Sequence, residues 1–113
     1  MDIKDFLKKQ EEFDNQYKFL KHWNEKISEN NLEVLNFLLL SASGEIGEAS
    51  NIAKKILRGD FTLKEKKSDL NEEITDAFIY IIKLINQLDI DIEKEYNLKM
   101  QKNAIKFGAR NDE

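Results

Sequence analysis

The sequence predicts an all-α protein, a four-helix bundle-like protomer, and three observations carry that prediction. Apolar residues recur at alternating steps of three and four along most of the 113 residues, the spacing of one face of a helix. There is no proline and there are only four glycines, so little interrupts long helices. Charged residues make up 35% against 41% hydrophobic, the balance of a soluble helical domain rather than of a disordered chain. A chain of this length is expected to form a single domain over 1–113, with one core of modest size.

Composition also excludes several classes. A net charge of -4 with a pI near 5.1 gives no chain-wide basic field, so a nucleic-acid polymer is not an expected partner. Without cysteine there is no disulfide framework and no thiolate metal site, and His22 alone cannot build a histidine-rich zinc site. The N-terminus, Met1-Asp2-Ile3-Lys4-Asp5, lacks the apolar run of a signal peptide. No segment approaches the ~20 apolar residues that span a bilayer, so no membrane partner is expected and a cytoplasmic location is.

Taken in order, Ile3, Phe6, Gln10, Phe13, Tyr17, Leu20, Asn24 and Ile27 mark a first amphipathic helix over 3–28. Trp23, near its end, reads either as a core or interface aromatic or as a platform for stacking on a ligand base. Ser28-Glu29-Asn30-Asn31 interrupts the pattern, and Asn30 with Glu33 resembles a capping box. A second helix over 31–57 opens with the apolar block Leu35 to Leu40 and carries Gly44 and Gly47 in its middle. Each glycine costs up to about 1 kcal/mol relative to alanine there, so close approach of another helix, or of a ligand, is expected to offset it. Lys54, Lys55 and Arg58 suit the helix dipole, and Lys55 also lies where it can reach an anion held above Glu48. Gly59-Asp60 ends this helix, and 61–67 reads as a charged connector.

The third helix is expected over 68–88, capped by Ser68. Ile74, Phe78, Ile81 and Ile85 give it a second apolar stripe, and two buried faces in so short a chain point to a partner subunit. A fourth helix over 91–107 has Ile92, Tyr96, Met100, Ala104 and Phe107 as its inner side. Lys99, Asn103 and Lys106 form a polar row beside that side, which reads as a solvated face or as a set of anion contacts. The tail 108–113 is expected to fray.

Four acids stand out within these patterns. At roughly 100° per residue, Leu38, Ala42, Ala49, Ile52 and Ile56 project within about 60° of Glu45, with Glu48 one turn along. Glu73 repeats the arrangement in the stripe of Leu70, Ala77, Tyr80, Leu84 and Leu88, with Asp76 at its edge. Inward carboxylates without basic partners are costly, so the sequence asks for cations at Glu45, Glu48, Glu73 and Asp76. Oxygen-only ligands suit Mg²⁺, or Mn²⁺, which bridges carboxylates to substrate phosphates. Di-iron bundles compete, but they pair carboxylates with histidines. A phosphate ester is then the natural substrate, with Lys55, Arg58 or Lys99 meeting the charge the metal leaves uncovered.

Glu45-x-x-Glu48 followed by Glu73-x-x-Asp76 resembles the signature of the MazG-like all-α nucleoside triphosphate pyrophosphatases. Gly44 to Ala49, Lys54 to Asp60, and Glu72 to Ala77 followed by Ile79-Tyr80-Ile81 resemble that family's second and third helices, and the likeness covers about residues 30–107. The resemblance implies metal binding by the four acids and cleavage of a nucleoside triphosphate to the monophosphate and pyrophosphate. It implies phosphate contacts from Lys99 and Asn103, with Lys106 a further candidate, a base- or sugar-facing Tyr80, and a homodimer or dimer of dimers. The likeness thins over the first helix, and with it the nucleobase specificity, so Trp23 is a candidate base contact that the spacing does not establish. Two alternatives stand beside it: a phosphoribosyl-ATP pyrophosphatase-like enzyme, and a non-catalytic helical oligomerisation or regulatory module whose acids pair with Lys and Arg.

Overall fold

Capping chemistry sets where the four helices begin and end: α1 (Ile3–Gln16), α2 (Leu32–Arg58), α3 (Leu63–Gln87) and α4 (Ile92–Asn111). The computed structural model describes residues 1–18 and 24–111, with side chains through 108, and contains no strand among them. The all-α, four-helix prediction therefore holds, while several boundaries move.

The largest move is in α1, expected to reach residue 28 and ending at Gln16. Downstream, Ile27 N donates to Gln87 O at 2.8 Å and Lys26 Nζ donates to Asn86 O at 2.6 Å. Gln87 Nε2 in turn donates to Glu25 O at 3.1 Å. Lys26 and Ile27 therefore satisfy backbone carbonyls at the end of α3, and the Gln87 side chain satisfies that of Glu25, which a continuous helix over 3–28 would not do. Trp23 and His22 lie outside the described residues.

At α2 the expected box of Asn30 and Glu33 is replaced by Asn31 as N-cap, with no side-chain cap bond. Its Oδ1 instead accepts from Ser28 N at 2.6 Å and its Nδ2 donates to Lys26 O at 3.0 Å, tying down the preceding loop. Gly59 closes α2 at φ +94, as the sequence implied, with Asp60 N donating to Lys55 O at 3.0 Å. α3 begins five residues earlier than Ser68. Thr62 Oγ1 accepts from Glu65 N at 3.1 Å while Glu65 Oε1 accepts from Thr62 N at 3.1 Å, a complete capping box inside the supposed connector.

The short link 59–62 makes α2 and α3 an antiparallel hairpin, with Val34, Leu38 and Leu84 at the centre of its core and Ile27, Leu35 and Tyr80 packed around them. α1 covers the opposite side of α3. Phe6 meets Phe78 edge-on at 5.6 Å, and Lys83 Nζ lies 3.5 Å from Asp14 Oδ1, both side chains mostly buried. Gln10 Nε2 donates to the same Asp14 oxygen at 2.9 Å. α2, α3 and α1 thus form one layer of helices.

α4 departs after Asp89, whose φ of +53 turns the chain, and runs through Gly108 to Asn111, beyond the expected end at 107. It packs extensively against none of the other helices. Its expected inner side is consequently open, with Tyr96, Met100 and Phe107 exposed. The radius of gyration is 17.7 Å, where a compact chain of this length has about 13 Å. No helix of the described residues is long and apolar enough to cross a membrane.

Candidate functional site

The acids sit where the two long helices of the hairpin face each other. Glu45 follows Leu38 by two turns on α2, and Glu73 precedes Tyr80 and Leu84 on the same stripe of α3, so packing of the core brings the two carboxylates together. One carboxylate oxygen from each of Glu45, Glu73 and Asp76 lies within 4.8 Å of the others. All three side chains are half-buried, whereas Glu48, expected to face inward with them, is exposed and outside this triad. Its helical phase explains the difference: at i+3 from Glu45 it turns toward the edge of the seam.

Glu73 Oε2 is buried and has no hydrogen-bond partner. Its neighbours are carboxylates, which accept but do not donate when ionised, so a proton held between them is what lets these side chains share a hydrogen bond. Hydrogen bonding toward Glu45, then toward Glu48, with burial and the two negative charges adding, pushes the Glu73 carboxyl up from its ordinary 4.5 to about 8. No ion pair described in the structure joins a basic side chain to Glu45, Glu73 or Asp76.

The other sequence candidates are not gathered around this cluster to the same degree. Lys55 is half-buried on α2, two turns beyond Glu48. Arg58 is engaged elsewhere, pairing with Asp60 at the helix end with Nε 2.9 Å from Oδ2. Tyr80 lies one turn past Asp76 and packs against the hairpin core, with Lys83 Nζ 5.7 Å from its ring. Lys99, Asn103 and Lys106 ride on α4, which does not pack along the hairpin, so the chain does not fold its own polar row onto the acids. Over Gly44 and Gly47 the space is open, since an added Cβ at either would meet nothing within 4 Å. No helix among the described residues makes the close approach expected there. Sequence reasoning passed over Asp14 and Lys83, whose only signal was one charge beside each of two apolar stripes.

Fold and site together define a class, an all-α protein whose central helical hairpin carries a half-buried carboxylate cluster at its seam. The chain belongs to the family of the Gene 37 protein of Mycobacterium phage L5, to which it is 36% identical over 84 residues, covering 72% of this chain and 69% of that protein. No family model matches the chain, and no solved structure matches it.

Proposed function

We propose that this protein is a Mg²⁺-dependent nucleoside triphosphate pyrophosphohydrolase that converts (d)NTP to (d)NMP and pyrophosphate and so keeps the nucleotide pool clean. The observation that carries the reading is the triad Glu45, Glu73 and Asp76, with an orphaned buried oxygen on Glu73 and, among the described residues, no ion pair to a basic side chain. An all-oxygen, all-anionic donor set in a chain without cysteine fits a hard divalent ion, Mg²⁺ or Mn²⁺. Glu45, Glu73 and Asp76 would hold it, with Glu48 beside them. When bound, such an ion neutralises phosphate charge and makes a water a stronger acid.

The protein's own groups supply the rest. Glu73 gives up its proton when positive charge enters the cluster, which completes the anionic ligand set. Glu45, in the middle of the seam, orients the attacking water and accepts its proton. Lys55 lies on the same side of α2 as Glu48 and offers a cation to the phosphates. Tyr80 borders the acids and is the candidate contact for base or sugar. Within this chain Lys99, Asn103 and Lys106 stand apart from the acids, because α4 does not pack along the hairpin, so in this reading their phosphate contacts would go to the site of a second copy; Trp23 is the candidate stacking partner for the base. The spacing of Glu45-x-x-Glu48 and Glu73-x-x-Asp76, similar to that of the MazG-like pyrophosphatases, supports the same assignment.

The test is incubation of the purified protein with a panel of NTPs, dNTPs and phosphoribosyl-ATP, with and without Mg²⁺. Metal-dependent pyrophosphate release from a nucleoside triphosphate is expected. Release from phosphoribosyl-ATP alone would reassign the substrate, and no release from any of them would leave the acids to a non-catalytic helical module.

A further inference from the structure

The tip of the α2–α3 hairpin, where the link 59–62 turns the chain, carries a charge opposite to that of the molecule as a whole. Between residues 54 and 67 stand six cations, Lys54, Lys55, Arg58, Lys64, Lys66 and Lys67, against two acids, in a chain whose net charge is -4. Both acids are engaged locally. Asp60 pairs with Arg58, and Glu65 Oε1 accepts from Thr62 N at 3.1 Å. Lys54 and Lys64 make no ion pair among the described residues. Apolar side chains stand among these cations rather than in the core. Leu57, in the last turn of α2, is 91% exposed, more than any other large hydrophobic residue described, and Leu63, which opens α3, is 57% exposed. Phe61 lies in the link between them, with Lys66 Nζ 4.1 Å from the centre of its ring. Leu57 is about 18 Å along α2 from Glu45, so the tip is separate from the acid cluster.

We infer that this tip docks on the surface of an anionic phospholipid bilayer, with Leu57, Phe61 and Leu63 entering the headgroup boundary and the surrounding lysines lying against lipid phosphates. The apolar residues select this occupant from among anionic ones. A nucleic-acid backbone meets the cations but offers nothing to an aliphatic side chain at the outermost point of the patch, whereas the bilayer interface takes both. Lysine stems lie along the apolar boundary while their ammonium groups stay at the level of the phosphates. The rest of the chain is acidic and is repelled by the same surface, which holds the body of the protein and its acid cluster away from the lipid. The expectation of no membrane partner rests on the lack of a spanning segment, and docking on the surface needs none. The inference does not depend on the enzymatic reading.

Co-sedimentation of the whole chain with vesicles of phosphatidylglycerol and phosphatidylcholine in equal parts, beside vesicles of phosphatidylcholine alone, tests it. Binding to the anionic vesicles only is expected, weakening as NaCl is raised from about 0.1 M to about 1 M. Lys64→Gln and Lys67→Gln should each weaken it about fivefold. Leu57→Gln should weaken it at least about tenfold. Ile105→Gln, at a position 76% exposed on α4, should leave it unchanged. Helical circular dichroism should be retained in all four variants, whose side chains are exposed. Absence of binding to the anionic vesicles, equal binding to both vesicle types, or equal losses in Leu57→Gln and Ile105→Gln would overturn the inference. So would binding to duplex DNA that exceeds vesicle binding at the same salt and is untouched by Leu57→Gln.

Discussion

Glu45 on α2 and Glu73 on α3 meet across the seam of the hairpin, and the buried Oε2 of Glu73 finds no hydrogen-bond partner there. Two acids in such a place work against folding at neutral pH unless a proton or a cation joins them. That conflict between local chemistry and packing is the kind that marks a functional site rather than a structural one.

Protonation of Glu73 makes the metal-free protein respond to pH in a defined direction. Its folded-state pKa of about 8 stands above the ordinary 4.5, so its contribution to stability is complete below about 4.5 and is lost as pH rises toward 8. Thermal melting in chelator should therefore fall between pH 5.5 and pH 8.5, and added Mg²⁺ should restore the loss most strongly at the alkaline end. A melting temperature that rose over this range in chelator would contradict the assignment.

Glu73→Gln keeps the shape and removes the titrating group. In chelator this variant should melt higher than the parent at pH 8.5 and lose most of the pH dependence, because like charge is removed from the seam. Metal-dependent turnover should fall by at least about a hundredfold in the same variant, measured by pyrophosphate release.

Lys83 and Asp14 clasp α3 to α1, with side chains only 13% and 9% exposed. Lys83→Met leaves the Asp14 charge buried with the Gln10 amide still donating to it and should cost about 3 kcal/mol in urea unfolding. Combining it with Asp14→Leu should recover most of that loss, since both charges leave together.

Leu38 is fully buried between α2 and α3, and Leu38→Ala should cost about 3 kcal/mol through the cavity it opens. Thr62→Ala, which removes the cap of α3 at an exposed turn, should cost only about 1 kcal/mol and leave turnover near the parent value. A reversed order in urea midpoints would place the core elsewhere.

Much of this was legible in the residues, and the parts that were not have physical causes. The stripes of α2 and α3 showed the two longest helices, and the in-stripe positions of Glu45 and Glu73 showed that the acids would meet. α1 was overextended because Asn24 and Ile27 keep helical spacing although the backbone at 25–27 bonds to the end of α3, a long-range pairing that periodicity does not carry. The start of α3 was displaced because Ser68 looks like a cap and the Thr62–Glu65 box sits among charges. Glu48 was read as inward because it neighbours Glu45 on the helix, yet three residues on its phase carries it to the exposed edge of the seam. α4 has the apolar spacing of a packed helix, but it packs extensively against no other helix of the described residues.

The central claim is that the Glu45–Glu73–Asp76 cluster binds a divalent cation in exchange for a proton. Calorimetric titration with Mn²⁺ at pH 7, repeated in buffers of different ionisation enthalpy, measures both at once. The account predicts saturable binding with release of about one proton per chain, and loss of that binding in Asp76→Asn. Absence of saturable binding, or equal binding by the Asp76→Asn variant, would contradict it.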